Sequence, residues 1–235
     1  MTTILFITGT DTGVGKTQVT AGIAASLRGS YSLWKPIQTG TTLGSTDADS
    51  YRLKYGSGTD QREEDIVSIT LPDPLAPWMA AERASQSIDY QALVLEGQRR
   101  KKEARILLVE GAGGLAVPLT DNKLIVNLTV DLGLRILLVA RPTLGTVNHT
   151  LLSISYAKQH GLQIAGIILN GYLSLEDPAL AENVQMIEHY GGIPVIGTLP
   201  WFPCTASTEE EWILWREKWS KIVSSSVDIP RILPE

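Results

Sequence analysis

A glycine-rich segment, residues 9–17 with the sequence GTDTGVGKT, joins a short apolar run to a helix-forming stretch. In such a loop successive backbone N–H groups point into a concavity, and the following helix start adds a partial positive charge. Together they hold polyphosphate oxygens, while Lys16 would reach the β- and γ-phosphates and the Thr17 hydroxyl a magnesium ion. The loop is one residue longer than the strict G-x-x-x-x-G-K-[ST] pattern, because Thr10 stands where its first glycine belongs. The segment predicts a strand–loop–helix phosphate site.

Short apolar runs recur along the chain and leave room for helices between them. They are the segments 4–7, 106–109, 136–140, 164–169 and 194–197, with 31–35 as a further candidate. Each run is continuous rather than alternating, which is typical of parallel strands covered on both faces. Helices are predicted over 18–27, 91–100, 147–160 and 178–190. The pattern predicts an α/β fold, P-loop NTPase-like, with a doubly wound and mostly parallel sheet and helices on both faces.

The length, net charge and cysteine content of the chain limit the kinds of protein that it can be. Its 235 residues suit a single P-loop α/β domain over 1–235. A net charge of -5 lacks the basic footprint that binding to nucleic acid or an anionic membrane needs. One cysteine, Cys204, and three histidines argue against a disulfide or a structural zinc cluster. With no basic leader and no apolar stretch near the roughly 20 residues of a membrane helix, we expect a cytoplasmic protein.

Two further segments have a recognisable character. Residues 55–77 are rich in Gly, Asp and Pro and are predicted to form a long irregular connection. Near the end of the chain, Thr208 and Glu211 have the spacing of a helix capping box. Three tryptophans follow at helical intervals, at positions 212, 215 and 219. A final amphipathic helix is predicted there, with its tryptophans packed against the domain or a second subunit.

A lysine and a threonine follow the second predicted strand. Lys35 and Thr39 lie in the segment 34–40, WKPIQTG. Ligands of open α/β sheets collect at the carboxyl ends of strands, so both residues should face the same crevice as the glycine-rich loop. A lysine in this position is most often a solvated surface residue, and both readings of Lys35 stay open.

Carboxylates near two strand ends are candidate metal ligands. Glu110 ends the apolar run 106–109 and is followed by the glycine-rich segment 111–114. A carboxylate at the end of a buried strand is costly unless it is paired, and a hydrated magnesium ion would supply the pairing. Asp47, after the second strand, is the other candidate, and Asp49 is its nearby competitor.

Seven short motifs follow one another along the chain. They are GTDTGVGKT at 9–17, WKPIQTG at 34–40, TDA at 46–48, VEGAGG at 109–114, LGTVNHT at 144–150, GIILN at 166–170 and GTLPW at 197–201. Each motif after the first is a weak signal by itself. In this order they resemble the dethiobiotin synthetase family along nearly the whole chain.

The resemblance implies an ATP-dependent carboxylation and ring closure. In that reaction an amine of 7,8-diaminononanoate captures CO2 as a carbamate, which attacks the γ-phosphate of ATP. The carbamic–phosphoric anhydride then closes onto the second amine and gives dethiobiotin, ADP and phosphate. The resemblance also implies Mg2+ as cofactor and a homodimer, because the family binds the substrate carboxylate across a dimer interface.

Site residues carry over from the family position by position. Its catalytic lysines fall on Lys16 and Lys35, and its metal ligands on Thr17, Asp47 and Glu110. ATP contacts fall on Gly9, Thr12, Gly13, Val14, Gly15, Lys16, Thr17, Gln18, Asp47, Glu110, Gly111, Ala112, Gly113, Asn170, Gly171, Leu199, Pro200 and Trp201. Substrate contacts fall on Thr39 for the carbamate and on Leu144, Gly145, Thr146 and Asn148 for the carboxylate.

Two positions depart from the family pattern, and two other classes of protein remain as alternative functions for the chain. Trp78 stands where a histidine is common, and Asn183 lies near a position at which some members have a tyrosine. A cobyrinic acid amide synthase-like ligase would carry a glutaminase domain with a nucleophilic cysteine, for which 235 residues leave no room. A ParA/MinD-like switch ATPase would carry a lysine early in its glycine-rich phosphate loop. In this chain the corresponding position is occupied by Asp11.

Overall fold

A computed structural model describes residues 3–27 and 31–233 of the chain. Residues 1–2 and 234–235, the ends of the predicted domain, lie outside the described part. The strands are β1 (Thr3–Gly9), β2 (Ser32–Thr39), β3 (Val67–Leu71), β4 (Ile106–Glu110), β5 (Arg135–Ala140), β6 (Ile164–Tyr172) and β7 (Val195–Pro200). The helices are α1 (Lys16–Ser26), α2 (Asp49–Ser57), α3 (Glu63–Ile66), α4 (Pro77–Arg83), α5 (Tyr90–Glu103), α6 (Ile125–Asp131), α7 (Thr146–Gln159), α8 (Pro178–Gly191), α9 (Glu209–Ser226) and α10 (Ile229–Ile232).

All seven strands form one parallel sheet in the order β3-β2-β4-β1-β5-β6-β7. Successive side chains of a strand point to opposite faces, so a strand covered on both faces is apolar throughout. In β1, Leu5 and Ile7 pack with residues of α1 and α9, whereas Phe6 packs with residues of α5 and α6. The predicted fold, a parallel sheet with helices on both faces, is confirmed.

The six predicted strands and four predicted helices are present, but the expected irregular connection over 55–77 is wrong. That segment contains α3 and the edge strand β3, which pairs with β2 from Lys35↔Val67 to Thr39↔Leu71. The strand sequence VSITL has the β-branched residues of a strand, yet the Gly, Asp and Pro residues around it hid the signal. In the described part of the chain, no helix is both long and apolar enough to cross a membrane.

The predicted final helix is α9, and its tryptophan stripe packs against this chain. Thr208 and Glu211 form the capping box. Trp212, Trp215 and Trp219 are all buried. Trp219 stacks on Phe202 with ring centroids 5.2 Å apart, and its indole N–H donates to the Gln18 carbonyl at 2.8 Å. The stripe therefore supports both the helix that follows the glycine-rich loop and the loop that follows β7.

Candidate functional site

The glycine-rich loop lies between β1 and α1 at the carboxyl edge of the sheet. Gly13 and Gly15 have φ of 66° and 89°, in the left-handed region that glycine adopts without strain. Gly15 is needed for space as well, since a Cβ there would lie 2.1 Å from Nδ2 of Asn170. Asn170, at the end of β6, donates that amide N–H to the Val14 carbonyl at 3.0 Å. The loop is thus held in shape by its own glycines and by β6, two positions along the sheet from β1.

Lys16 begins α1 and folds back over the loop. Its ammonium donates to the Asp11 carbonyl at 3.2 Å, and the residue is 8% exposed. Burial and the nearby charge of Lys35 lower the pKa of Lys16, against the opposing influence of Glu110 and Asp49. A partly desolvated cation inside a ring of backbone amides is well suited to a polyphosphate.

Beside the loop, the buried Lys35 and Glu110 meet the half-buried Asp49, and the three residues come from separate elements. Nζ of Lys35 lies 2.6 Å from Oδ2 of Asp49 and 2.7 Å from Oε1 of Glu110. The Thr17 hydroxyl lies 2.8 Å from Oδ1 of Asp49 and 2.9 Å from Oε1 of Glu110. Glu110 is fully buried and Lys35 is 1% exposed. Strands β2 and β4 and the starts of α1 and α2 therefore supply one site.

The ionisation of this cluster follows from burial and mutual attraction. Burial by itself would lower the pKa of Lys35, but Asp49 and Glu110 outweigh it, so the pKa is raised and the ammonium stays charged. For Asp49, the Lys35 charge overcomes the effect of burial and lowers the carboxyl pKa. Burial dominates at Glu110 and raises its pKa, although Lys35 opposes it. The pKa values of the two carboxylates that contact the Lys35 ammonium are thus shifted in opposite directions.

The structure corrects the choice between the two aspartates. Asp47, the first candidate, points to solvent with its side chain 84% exposed, and it pairs with Arg52 at 2.8 Å. Asp49, its competitor, is the first residue of α2 and is the aspartate that reaches Thr17. Ala48 stands at the N-cap between them, so the start of the helix turns the two carboxylates in different directions. Asp49 therefore replaces Asp47 in the set that surrounds Thr17 and Glu110.

The oxygens around Thr17 fit a magnesium ion. Hydroxyl and carboxylate oxygens are hard ligands, and Mg2+ is commonly held by one or two carboxylates, water and substrate phosphates. The Oε2 atom of Glu110 is buried and has no hydrogen-bond partner, so it is free to accept a cation. Among the described residues no group of three His, Cys, Asp or Glu side chains is placed to hold a metal ion. A magnesium ion that binds together with a nucleotide would suit the oxygens around Thr17.

The choice of aspartate makes a direct prediction. Asp49→Asn should raise the Mg2+ concentration needed for half-maximal turnover by about tenfold or more, because an anionic ligand paired with the buried Lys35 is lost. Asp47→Asn, the matched control two residues away, should leave the requirement unchanged within about twofold, as is usual for an exposed charge. Magnesium titrations of both variants at saturating ATP give the measurement. A larger effect at Asp47 than at Asp49 would return the ligand role to Asp47.

The residues predicted to hold the base lie at the ends of β6 and β7. Asn170 is 7% exposed, and its Oδ1 atom is buried without a partner. Trp201 is 63% exposed and lies against Gly171, whose φ is 100°. Leu199 is fully buried in the core, so of the predicted trio only Pro200 and Trp201 present surface. Any contact of Leu199 with the base would therefore have to come from its backbone.

The predicted substrate residues lie beyond β5 and at the end of β2. Gly145, with φ of 92°, caps α7, whose first turn leaves backbone N–H groups without helical acceptors. Leu144 and Asn148 are exposed, and the buried Thr146 hydroxyl has no partner. Thr39 closes β2 and is half-buried. These residues share the carboxyl edge of the sheet with the phosphate loop.

Arg141 is a site residue that the sequence analysis missed. It follows β5 directly, and its guanidinium donates to Oδ2 of Asp11 at 3.1 Å and to the Thr12 carbonyl at 2.7 Å. It therefore ties the start of the phosphate loop to the neighbouring strand. Its place at a strand end, the argument used for Lys35, would have identified it.

The remaining predicted residues occupy supporting positions. Gln18 donates its amide N–H to the Phe202 carbonyl, and the Gly9 N–H donates to the Gly113 carbonyl at 3.3 Å. Asn183 donates to the Pro142 carbonyl at 3.1 Å and so braces the connection from β5 to α7. Trp78 is half-buried in α4, and its backbone N–H donates to the Pro118 carbonyl at 3.3 Å. Both departures from the family pattern thus have a structural contact.

The fold and the phosphate loop define the class of protein. A family model described as an AAA domain matches residues 3–208. A solved structure, the septum site-determining protein MinD from Pyrococcus horikoshii complexed with Mg-ADP, superposes with a TM-score of 0.59 at 18% identity, covering 99% of this chain and 94% of that one. The chain has the fold of P-loop nucleoside triphosphatases.

Curated relatives identify the family within that class. The ATP-dependent dethiobiotin synthetase BioD of Bacillus thuringiensis (strain Al Hakam) is 44% identical over 200 residues, which cover 84% of this chain and 83% of the relative. The protein of the same name from Bacillus cereus (strain AH820) is 43% identical over 208 residues, which cover 87% and 86%. The chain belongs to the dethiobiotin synthetase family.

Proposed function

We propose that this chain is an ATP-dependent ligase that makes dethiobiotin from 7,8-diaminononanoate and CO2. The observation that carries the proposal is the convergence of Lys16 and Lys35 beside the phosphate loop, with Asp49 and Glu110 between the lysines and the metal-binding hydroxyl of Thr17. Two cations in a desolvated site suit phosphoryl transfer to an anionic acceptor, because both reactants carry negative charge. A carbamate is such an acceptor.

The nucleotide is proposed to lie along the carboxyl edge of the sheet. Its phosphates would rest on the backbone amides of the loop and on Lys16, as polyphosphates do at helix starts. At the other end, the unpartnered Oδ1 of Asn170 is a buried acceptor that the exocyclic amino group of adenine would satisfy. The exposed ring of Trp201 offers an apolar surface to the base. These contacts favour ATP.

The proposed chemistry consists of three balanced steps. One amine attacks CO2, forms a C–N bond and loses a proton, which gives a carbamate. A carbamate oxygen then attacks the γ-phosphorus while the bond to the β–γ bridging oxygen breaks and ADP leaves. The second amine attacks the carbonyl carbon and loses a proton, and phosphate leaves with the electron pair of the C–O bond. Positioning and charge neutralisation provide most of the catalysis in such reactions.

Each lysine has a place in this sequence. Lys16 would neutralise the charge that develops on the β–γ bridge, and Lys35 would stabilise the carbamate and the transferring phosphoryl group. A magnesium ion held by Thr17, Asp49 and Glu110 would neutralise charge on the β- and γ-phosphates. Thr39, at the end of the strand that carries Lys35, would contact the carbamate.

The substrate carboxylate is proposed to bind at the start of α7, through backbone N–H groups of residues 145–148. Leu144, Leu173 and Leu175 are exposed apolar residues that follow β5 and β6 near this point. Exposed apolar groups favour a subunit contact, and we propose a homodimer that brings a second chain to this end of the site. We also propose a single domain and a cytoplasmic location, in keeping with the free thiol of Cys204.

The rival classes find less support. The likeness to MinD lies at 18% identity and concerns the fold, whereas named dethiobiotin synthetases are 43–44% identical over most of the chain. Asp11, which a ParA/MinD-like switch would replace with lysine, is here engaged by Arg141. A glutaminase would need a nucleophilic thiol, and the thiol of Cys204 is unsuited to that role, because partial desolvation of this exposed residue raises its pKa.

An omission experiment tests the function. Phosphate release should require ATP, Mg2+, diaminononanoate and bicarbonate together, and leaving out any one should lower the rate by about a hundredfold, because the acceptor is assembled from two of them. Purified protein and a coupled phosphate assay suffice for the measurement. Phosphate release at full rate without the diamine would contradict the ligase and favour a switch ATPase.

A further inference from the structure

The Lys35 ammonium occupies the centre of the candidate metal site. An ammonium has three N–H donors. Those of Lys35 have acceptors at 2.6 Å on Asp49, 2.7 Å on Glu110 and 3.2 Å on the Gly111 carbonyl. The side chain of Lys35 is 2% exposed, so these acceptors replace water completely. The cluster is therefore closed around a cation supplied by the chain itself.

The carboxylates that would coordinate magnesium are the same two carboxylates that hold this ammonium. Oε1 of Glu110 is shared by Lys35 at 2.7 Å and by the Thr17 hydroxyl at 2.9 Å. Two ionised carboxylates carry two negative charges. They can neutralise one divalent ion completely, whereas the single charge of Lys35 neutralises only one of them. A divalent ion and the ammonium together would place excess positive charge in a desolvated volume, where like charges at close range repel strongly. Lys16 stands nearby and adds to that repulsion.

We propose that Lys35 is the resident cation of the metal site, and that a divalent ion arriving with the nucleotide displaces its ammonium from Asp49 and Glu110. Released from the carboxylates, the side chain is free to reach the transferring group beside the phosphate loop. The lysine that stabilises the carbamate is then available only when the metal and nucleotide are in place. The inference rests on the proposed function for the identity of that transferring group.

Direct metal binding without nucleotide tests the displacement. Mn2+ alone serves as the probe, titrated into wild type, Lys35→Met and Lys16→Met, with free Mn2+ followed by its paramagnetic resonance. Lys35→Met should bind Mn2+ at least about tenfold more tightly than wild type, because the ion no longer competes with a doubly paired ammonium. Lys16→Met, the matched comparison, removes a nearby charge that touches neither carboxylate, so relief of its longer-range repulsion should tighten Mn2+ binding clearly less than Lys35→Met does. Adding Asp49→Asn to Lys35→Met should abolish the gain.

A second measurement on unaltered protein covers the case in which Lys35→Met folds poorly. A buried, hydrogen-bonded ammonium exchanges its protons slowly, so Lys35 should give a protected signal in protein labelled with 15N at lysine. Mg2+ with a non-hydrolysable ATP analogue should shift that signal and speed its exchange, whereas the analogue with a chelator should not. An unmoved signal in protein saturated with the metal and analogue overturns the proposal, as does equal Mn2+ affinity of Lys35→Met and Lys16→Met. Neither result touches diamine-dependent phosphate release, which tests the proposed function separately.

Discussion

Replacing Lys16 with alanine is expected to lower kcat by at least about a hundredfold, the usual loss when a preorganised electrostatic donor is removed. The reason lies in the position of its ammonium, which is held over the loop by the Asp11 carbonyl and is almost completely buried. Negative charge moves onto the β–γ bridge and the γ-oxygens during transfer, so the lost interaction is stronger in the transition state than in the ground state. Steady-state rates of phosphate release at saturating substrates give the measurement.

The control for this prediction is Lys102→Ala, which removes an exposed lysine of α5. It should leave kcat unchanged within about twofold, as is typical of an isolated surface charge. Both variants should melt close to the wild-type temperature. If Lys16→Ala is folded and turns over at nearly the normal rate, the assignment of the phosphate site to this loop is wrong.

Replacing Lys35 with glutamine is expected to lower kcat by about a hundredfold while weakening ATP binding by no more than a few-fold. Lys35 lies on β2 rather than on the loop, and its partners are Asp49 and Glu110 rather than the backbone amides that cradle phosphate. The interaction that is lost forms mainly during the reaction, so it should appear in kcat and leave nucleotide affinity nearly intact.

The two roles of Lys35 are separated by measuring equilibrium nucleotide binding and diamine-dependent turnover on the same preparation. Thermal melting is needed beside them, because the variant leaves two carboxylates without their buried counter-ion. A variant that loses ATP binding in step with turnover would place Lys35 in the nucleotide site. A variant that keeps both would make Lys35 a structural ion-pair partner only.

Local sequence and the direction of the strands explain which parts of the site could be predicted from the sequence. Lys16 and Thr17 are set by a short strand–loop–helix unit, and their neighbours in sequence are their neighbours in space. Lys35 and Glu110 lie far apart in the chain, yet both belong to parallel strands that end at one edge of the sheet. The rule that ligands collect at that edge accounts for Glu110, but Lys35 lies inside β2 rather than after its strand as predicted, and the register Trp34↔Val109 sets it beside Glu110.

The misses have local causes that sequence patterns do not contain. Asp47 and Asp49 are equivalent by composition, and the residue at which α2 begins decides which of them turns inward. Leu199 shares a motif with Pro200 and Trp201, yet the direction of its side chain in β7 places that side chain in the core, which the motif alone does not indicate. Arg141 differs from these two, because its position directly after β5 was visible in the sequence and only its partner Asp11, 130 positions away, was not.

The central claim is that the chain joins CO2 to a diamine at the expense of ATP, and the product itself tests it most directly. Wild-type protein would be incubated with ATP, Mg2+, diaminononanoate and 13C-labelled bicarbonate, and the organic product analysed by mass spectrometry beside the ADP formed. We predict a product heavier than the diamine by one labelled CO2 less one water, in equal amount to ADP. ADP formed without a labelled cyclic product would contradict the account.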